Sequence, residues 1–486
     1  MLRIKVLCSA AFLCSAAFTQ SYDNNWVFGD STGLSFTTGV PVNFASNIWT
    51  WESCASISSE LGELLFYTNG DRAWNKNNEM MPNGDELEIG GQPFPHFGSS
   101  ITQGVIIIPK PGDNSIYYIF QTQNDGLKYS IVDMKLDAGM GDIAEKNLTL
   151  LTVDIGEKMT AVKHGNGRDW WLIVRLREES GEDEYELTFT RFLISPIGIQ
   201  GPYYQDYGPD STPDDPDYGT GQMVFSVDGE KMAYTRAANV DIYSFDRCTG
   251  LFTNYFTISD IDNFSAYGCS FSPDRSKIYV NGSCEKKLYQ YCLTCDGEPI
   301  DSTKELVYTE PTASYCIGQL QLGPDGKIYV AILYQEIPSD IFTSQNQNLC
   351  VINNPNALYP ECDFDTNTIS LGTRRVIAGL PNMVNYNLGP LKGSACDTLE
   401  TAINNLIEEN NINIYPNPAH DHVIIQSGCN TELTYALKNI QGQVISKDIF
   451  VKEVTVELKN YPVGIYVVEI MDIMGKMLYA EKIMLQ

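Results

Sequence analysis

Three copies of one short pattern constrain this 486-residue chain more than anything else in it. They run from Phe225 to Tyr234, Phe271 to Val280 and Leu322 to Val330. Pro273 and Pro324 preset φ at the first central position of a tight turn. The Asp that follows bonds back to the local backbone, and Gly229 and Gly326 accept φ > 0 without steric cost. Each copy therefore reads as the end of one strand, a turn and the start of the next. Asp228, Asp274 and Asp325 are 46 and then 51 residues apart, the period of four-stranded units stacked as propeller blades. Arg275 stands where the other copies have Gly. If the turn holds, Arg275 is left-handed, and Arg275→Gly should stabilise by about 1 kcal/mol.

Three looser copies precede these. Cys54–Ser58 leads through Leu61-Gly62 into Glu63–Tyr67, Gly104–Pro109 through Pro111–Asn114 into Ile116–Phe120, and Met159–Lys163 through Gly165–Gly167 into Trp170–Ile173. In each, a compact strand suited to crowding near an axis precedes a bulkier one. Third strands follow at Lys128–Met134, Glu186–Phe192, Val240–Phe245, Lys287–Leu293 and Leu349–Ile352. A seventh inner strand fits Gly379–Tyr386, with its partners supplied by the amino terminus at Trp26–Phe28 and Leu34–Phe36. Joining the two chain ends in one blade leaves no sheet edge open. The expectation is an all-β chain: a seven-bladed β-propeller, with six or eight blades as the alternatives, over residues 20–390.

The polypeptide opens with Arg3 and Lys5, an apolar run from Val6 to Phe18, and small then polar residues. That is the layout of a secretory signal peptide over residues 1–19, too short to span a bilayer. Export makes the cysteines readable. Eleven of the thirteen lie beyond that segment and eight of those between Cys248 and Cys362, which predicts disulfides tying neighbouring strands and at least one unpaired thiol. Cys292 and Cys295 have CxxC spacing but no second CxxC to complete a zinc site. Net charge is −29. The leader contributes +2 and the last 76 residues −2, so the body keeps the whole −29. Such a surface repels nucleic acid and anionic membranes.

Past Pro390 the texture changes. Residues 391–410 read as a linker, with a short helix over Thr398–Glu409, and residues 411–486 as a separate β domain. About seven short strands, among them Val454–Leu458 with clean in–out alternation, predict an immunoglobulin-like sandwich. Ile414-Tyr-Pro-Asn-Pro418, the Gln441-Gly-Gln443 turn, Leu458, Gly464-Ile-Tyr466 and the closing Glu481–Leu485 occur in order at the carboxy terminus. With these motifs the tail resembles the sorting domain of type IX secretion cargo in Bacteroidota. The resemblance implies engagement of that secretion machinery, passage across the outer membrane, and a cargo that is released or held at the surface. The body is similar to the β-propellers of the same bacteria, and more loosely to tryptophan-aspartate-like and "YVTN" repeat families, through Tyr129–Met134, Thr160–His164, the turn repeats and Gly379–Asn382. That likeness implies fold and hardly any activity.

Chemistry is sparse. No GxSxG elbow or HExxH occurs, and the body has only His96 and His164, too few for a multi-histidine metal centre. Paired carboxylates around the axis would suit glycoside hydrolysis. Asp228, Asp274 and Asp325 are better explained by turn geometry. The loop carrying Asp206, Asp210, Asp214, Asp215 and Asp217 offers hard oxygen ligands at a spacing unlike an EF-hand, a weak calcium candidate; no other cofactor is expected. Trp49, Trp51, Trp74, Trp170 and Trp171 would suit sugar stacking if exposed and blade cores if not. These features favour a secreted or cell-surface binding or adhesion module for a polysaccharide or envelope protein. The alternatives are a propeller hydrolase with axial carboxylates and a structural envelope component.

Overall fold

A computed structural model describes residues 21–397 and 412–486, apart from residues 91–92, 95–97, 124–125, 182–183, 213–218, 260, 262–265, 283–285, 296, 335–340, 429–431, 440–442 and 472–476. The leader, His96, the segment around Thr398–Glu409 and the turn at Gln441 thus lie outside the described residues. The chain divides into two compact units, Met1–Leu391 and Lys392–Gln486.

Among the described residues the first unit is a β-propeller of seven antiparallel sheets of three or four strands, with Pro93–Phe94 and Gly98–Ser99 pairing separately. Blade one comprises Asn25–Phe28, Asp30–Ser35 and Val42–Trp49; blade two comprises Ala55–Ser58, Leu64–Thr68 and Ala73–Asn75. Blade three is Val105–Pro109, Ile116–Gln123, Gly126–Asp133 and Asp142–Leu151, and blade four Met159–Lys163, Trp170–Gly181, Glu184–Ser195 and Gly198–Asp206. Blade five is Met223–Phe225, Lys231–Arg236, Asn239–Asp246 and Leu251–Ile258. Blade six is Ala266–Phe271, Lys277–Gly282, Lys287–Cys292 and Glu305–Thr309, and blade seven Tyr315–Leu322, Ile328–Tyr334, Asn348–Ile352 and Phe364–Ser370. Every third strand expected from the sequence is present.

Apolar side chains fill the spaces between blades. Val162, Trp171 and Phe189 of blade four pack on Met232, Tyr234 and Tyr243 of blade five. Blades five and six share a cluster around Val240, Ile242, Phe271 and Ile278, and blades six and seven one around Tyr279, Leu288, Ile328 and Val330. The ring closes at Trp26, which meets Tyr329 of blade seven edge-on at 5.3 Å while sharing a cluster with Tyr67 and Trp74 of blade two.

The repeated turns have the expected geometry. In each, the fourth residue donates back to the first: Gly229 N to Ser226 O at 2.8 Å, Arg275 N to Ser272 O at 2.9 Å and Gly326 N to Gly323 O at 3.0 Å. All three donors have positive φ, 72°, 64° and 77°, so Arg275 is left-handed although it carries a side chain. Asp274 Oδ1 accepts from Ser272 Oγ, Ser276 N and Ser276 Oγ, and these bonds lower its pKa against the opposing pull of burial.

Three expectations need correction. Gly379–Tyr386 is irregular and pairs in no sheet. Pro381 has no N–H for a ladder, and a Cβ on Gly379 would sit 1.8 Å from Glu52 O, so the backbone is wedged against the start of blade two. Blade one is built by the amino-terminal strands alone, and its one β-bridge to the returning chain among the described residues joins Asp30 to Arg375. Cys248 and Cys396 are disulfide-bonded, but Cys54, Cys269, Cys350 and Cys362 stay buried thiols among the apolar blade faces and do not tie neighbouring strands as expected. Cys292–Cys295 is a disulfide closing a short loop at the end of a blade-six strand.

The second unit is a β-sandwich of two sheets. One orders Asn413–Tyr415, His422–Gln426 and Glu453–Glu457; the other orders Val444–Phe450, Leu433–Asn439, Gly464–Met471 and Met477–Leu485. Val456 and Leu458 are buried beside Ile425 of the same sheet, with Val454 packed next to them, and Leu437, Val468 and Ile483 of the other sheet complete the core. No helix among the described residues is long and apolar enough to cross a membrane.

Candidate functional site

The inner strand of each blade presents one edge to the propeller axis, where backbone groups need partners. Four neutral carboxamides supply many of them. Gln103 Oε1 accepts from Met223 N at 2.7 Å, joining the approach to blade three with blade five. Gln222 Oε1 accepts from Cys269 N at 3.1 Å and Leu320 N at 3.0 Å, while its Nε2 donates to Leu320 O at 3.0 Å, so one side chain ties blades five, six and seven. Gln319 Nε2 donates to Thr102 O at 2.6 Å and its Oε1 accepts from Leu380 N at 2.8 Å. Asn382 Nδ2 donates to Val105 O at 3.2 Å and Met159 O at 3.0 Å. A carboxamide both donates and accepts, so it can serve either kind of edge group without burying charge.

Three of these bonds, at Leu380 N and Asn382 Nδ2, reach the returning chain, which runs along the axis. Below Asn382, Asn385 Nδ2 donates to Val227 O at 2.6 Å and the Tyr386 hydroxyl to Ile107 O at 2.8 Å. Arg247 Nη2 donates to Gly389 O at 2.6 Å, and Leu391 N to Gly165 O at 2.7 Å. Residues 378–391 therefore act as a keystone. Gly318 makes room for it: a Cβ there would lie 2.5 Å from Ala378 O.

Between this keystone and blades four to seven lies a cavity of about 230 Å3. Ala161, Val162, Met223 and Met383 give it an apolar wall, and Gln103, Thr160, Asn382 and Asn385 a neutral polar one. Among the described residues that line it, Asp23 is the one carboxylate and none is Lys, Arg or His. Burial, opposed by a hydrogen bond from its own backbone, pushes the Asp23 carboxyl up to about 6. Trp26 lines the same space, and its indole N–H is buried without a hydrogen-bond acceptor.

At the opposite mouth, among the residues that precede the inner strands, Glu157 accepts from Thr102 N at 3.0 Å and Thr102 Oγ1 at 2.8 Å, and burial raises its pKa. Glu52 Oε1 accepts from the Tyr267 hydroxyl at 2.7 Å. Both carboxylates have work in holding the loops.

The residues singled out in the sequence fare differently. Asp206 Oδ1 accepts from Thr188 Oγ1 at 2.6 Å and Asp210 Oδ1 from Leu187 N at 3.0 Å. Asp214, Asp215 and Asp217 lie outside the described residues. Among the described residues no three His, Cys, Asp or Glu side chains gather as a metal set. His164 Nδ1 accepts from Asn166 N at 3.0 Å and its Nε2 faces Cys248 O at 2.9 Å, a local packing role. Trp51, Trp74, Trp170 and Trp171 are buried and Trp49 is half-buried, so the tryptophans are core and not a sugar platform. Sequence reasoning passed over the axial carboxamides. A signal existed in Gln103-Gly104, Gly221-Gln222 and Gly318-Gln319, where a Gln adjoins a Gly at the inner strand of three blades.

Residues 413–486 match the family described as the secretion system C-terminal sorting domain. The chain thus carries a type IX secretion sorting domain, which directs it to the cell surface or extracellular space. No curated protein matches the chain. Solved structures similar to it include a Lactobacillus plantarum protein, 10% identical over 81% of this chain and 96% of the other, with a TM-score of 0.37. The periplasmic gluconolactonase PpgL of Pseudomonas aeruginosa is 11% identical over 90% and 98%, with a TM-score of 0.36. Kuenenia stuttgartiensis hydrazine synthase is 14% identical over 62% and 88%, with a TM-score of 0.38.

Proposed function

We propose that this protein is a binding module that works outside the cell. In this reading residues 1–19 carry it across the inner membrane of a Bacteroidota cell, the sorting domain carries it across the outer one, and the propeller engages a polysaccharide or envelope component there. The observation that carries the reading is the make-up of the axial cavity: amides, hydroxyls and methyl groups around a single carboxylate. Glycoside hydrolysis needs two carboxylates facing one bond, and acyl transfer needs a nucleophile beside a base. This cavity offers neither pair, whereas a small concave site with a few placed polar groups suits recognition. The test is to assay the exported chain against chromogenic lactones, esters and glycosides alongside a glycan array. Retention of glycans without turnover is expected. Turnover that disappears in Asp23→Asn would establish the hydrolase instead.

A further inference from the structure

The axial cavity, read above as a binding site, also limits what can occupy it. Its volume of about 230 Å3 is below the roughly 300–1,000 Å3 of sites that enclose drug-sized ligands, so it suits one small unit. Its polar groups are of three kinds. Gln103, Asn382 and Asn385 can each donate and accept, but much of that capacity is already spent on blade backbones. Thr160, Ser226 and Ser270 add hydroxyls, each able to donate or accept. Asp23 contributes the only formal charge among the described lining residues, with no base there to offset it. A half-buried carboxylate without a cationic neighbour is costly to keep ionised, and a ligand cation would remove that cost. Neutral sugars would use the amides and leave the charge alone; anions would meet it in repulsion.

We infer that the cavity takes a small hydroxylated primary amine, of about the size of one amino sugar, with its ammonium on the Asp23 carboxylate. This rests on reading the cavity as a binding site, and the apolar wall of Val162, Met223 and Met383 would cover the ligand's carbon face. The chemistry is binding only; no bond is made or broken. At neutral pH the carboxyl is ionised, since burial lifts it only to about 6.

D-glucosamine and D-glucose are the probes, titrated calorimetrically into the exported chain at about pH 7.5. The ammonium should tighten glucosamine over glucose by about tenfold, as expected for one charge-assisted hydrogen bond. Asp23→Asn should abolish that preference. Asn387 is exposed at the rim of the cavity, so Asn387→Trp should obstruct entry without touching the core and weaken both sugars. Thermal melts confirm that each variant is folded. Equal affinity for the two sugars, both weakened by Asn387→Trp, would overturn the amine while leaving the cavity as a binding site. Glucosamine binding unaffected by Asn387→Trp, or no saturation by either sugar, would overturn the cavity itself as the place of binding.

Discussion

Blades five to seven and the seam that closes the ring solve the same problem by different means. In the blades, strands adjacent in sequence pair through short turns, and the bonds that set each turn lie within about five residues, as with Ser272, Asp274 and Ser276. At the seam the partners are far apart in the chain. Arg375 Nε donates to Asp30 Oδ2 at 3.2 Å across 345 residues of sequence, and Asp30 N donates to Arg375 O at 3.0 Å. Asn382 reaches 277 residues back to Val105. Local pairing repeats and tolerates variation in any one copy, whereas the seam is made once, from single side chains. Damage should therefore be unequal.

The largest effect is expected at the buried pair. Both the Arg375 and Asp30 side chains are almost fully buried, so Arg375→Met strands a carboxylate and should cost about 3–5 kcal/mol in urea unfolding. Arg375→Met combined with Asp30→Leu should recover much of that loss. If it does not, the seam depends on groups other than this pair. Asn382→Ala comes next: it deprives Val105 O and Met159 O of their donor and should cost about 2–3 kcal/mol. Asp274→Ala, a turn change measured in the same way, should cost only about 1 kcal/mol. Equal losses for those two would erase the distinction between blade and seam.

A third prediction has the opposite sign. The Asp23 pKa is about 6 when folded against an ordinary value of 3.8, so the folded chain holds that proton more tightly than the unfolded one. Its contribution to stability is greatest when protonated, declines as pH rises from about 4 to about 6, and stays low above that. Asp23→Asn should thus stabilise by about 1–3 kcal/mol at neutral pH and by nothing near pH 4. Melts across that range check it, and a gain that is flat with pH would exclude ionisation as the cause. The smallest effect belongs to Arg275→Gly. Relief of the left-handed backbone is worth about 1 kcal/mol, but the Arg275 guanidinium also pairs with Asp228 at a solvent-exposed site, a contact worth up to about 1 kcal/mol. A net gain near 0.5 kcal/mol is expected, rising in high salt where the pair is screened.

The same contrast explains what could be read in advance. The turn at 272–275 was legible down to the sign of φ at Arg275, because Pro, Asp and Gly state local backbone geometry in their own chemistry. The third strands and the alternation of Val454, Val456 and Leu458 were legible for the same reason. Gly379–Tyr386 was placed beside Trp26 but given a ladder it does not have. Pairing near an axis is decided by groups hundreds of residues away, and Asn382 looks in sequence like any loop asparagine. The cavity was illegible in the same way. Asp23 is one of 61 acidic residues, and nothing local marks it as the one that lines a cavity with Met223 and Asn385.

The keystone has a bearing on how the body comes into being. Arg375, Asn382 and Tyr386 leave the ribosome after every strand they fasten, so each earlier intermediate has an unsealed rim. A product that stops short of residue 375 retains all seven sheets and lacks the lock, whereas one that stops just past Leu391 already holds every axial bond described above. Completion of the ring is thus timed by the arrival of some fifteen residues, and not by the bulk of the polypeptide before them.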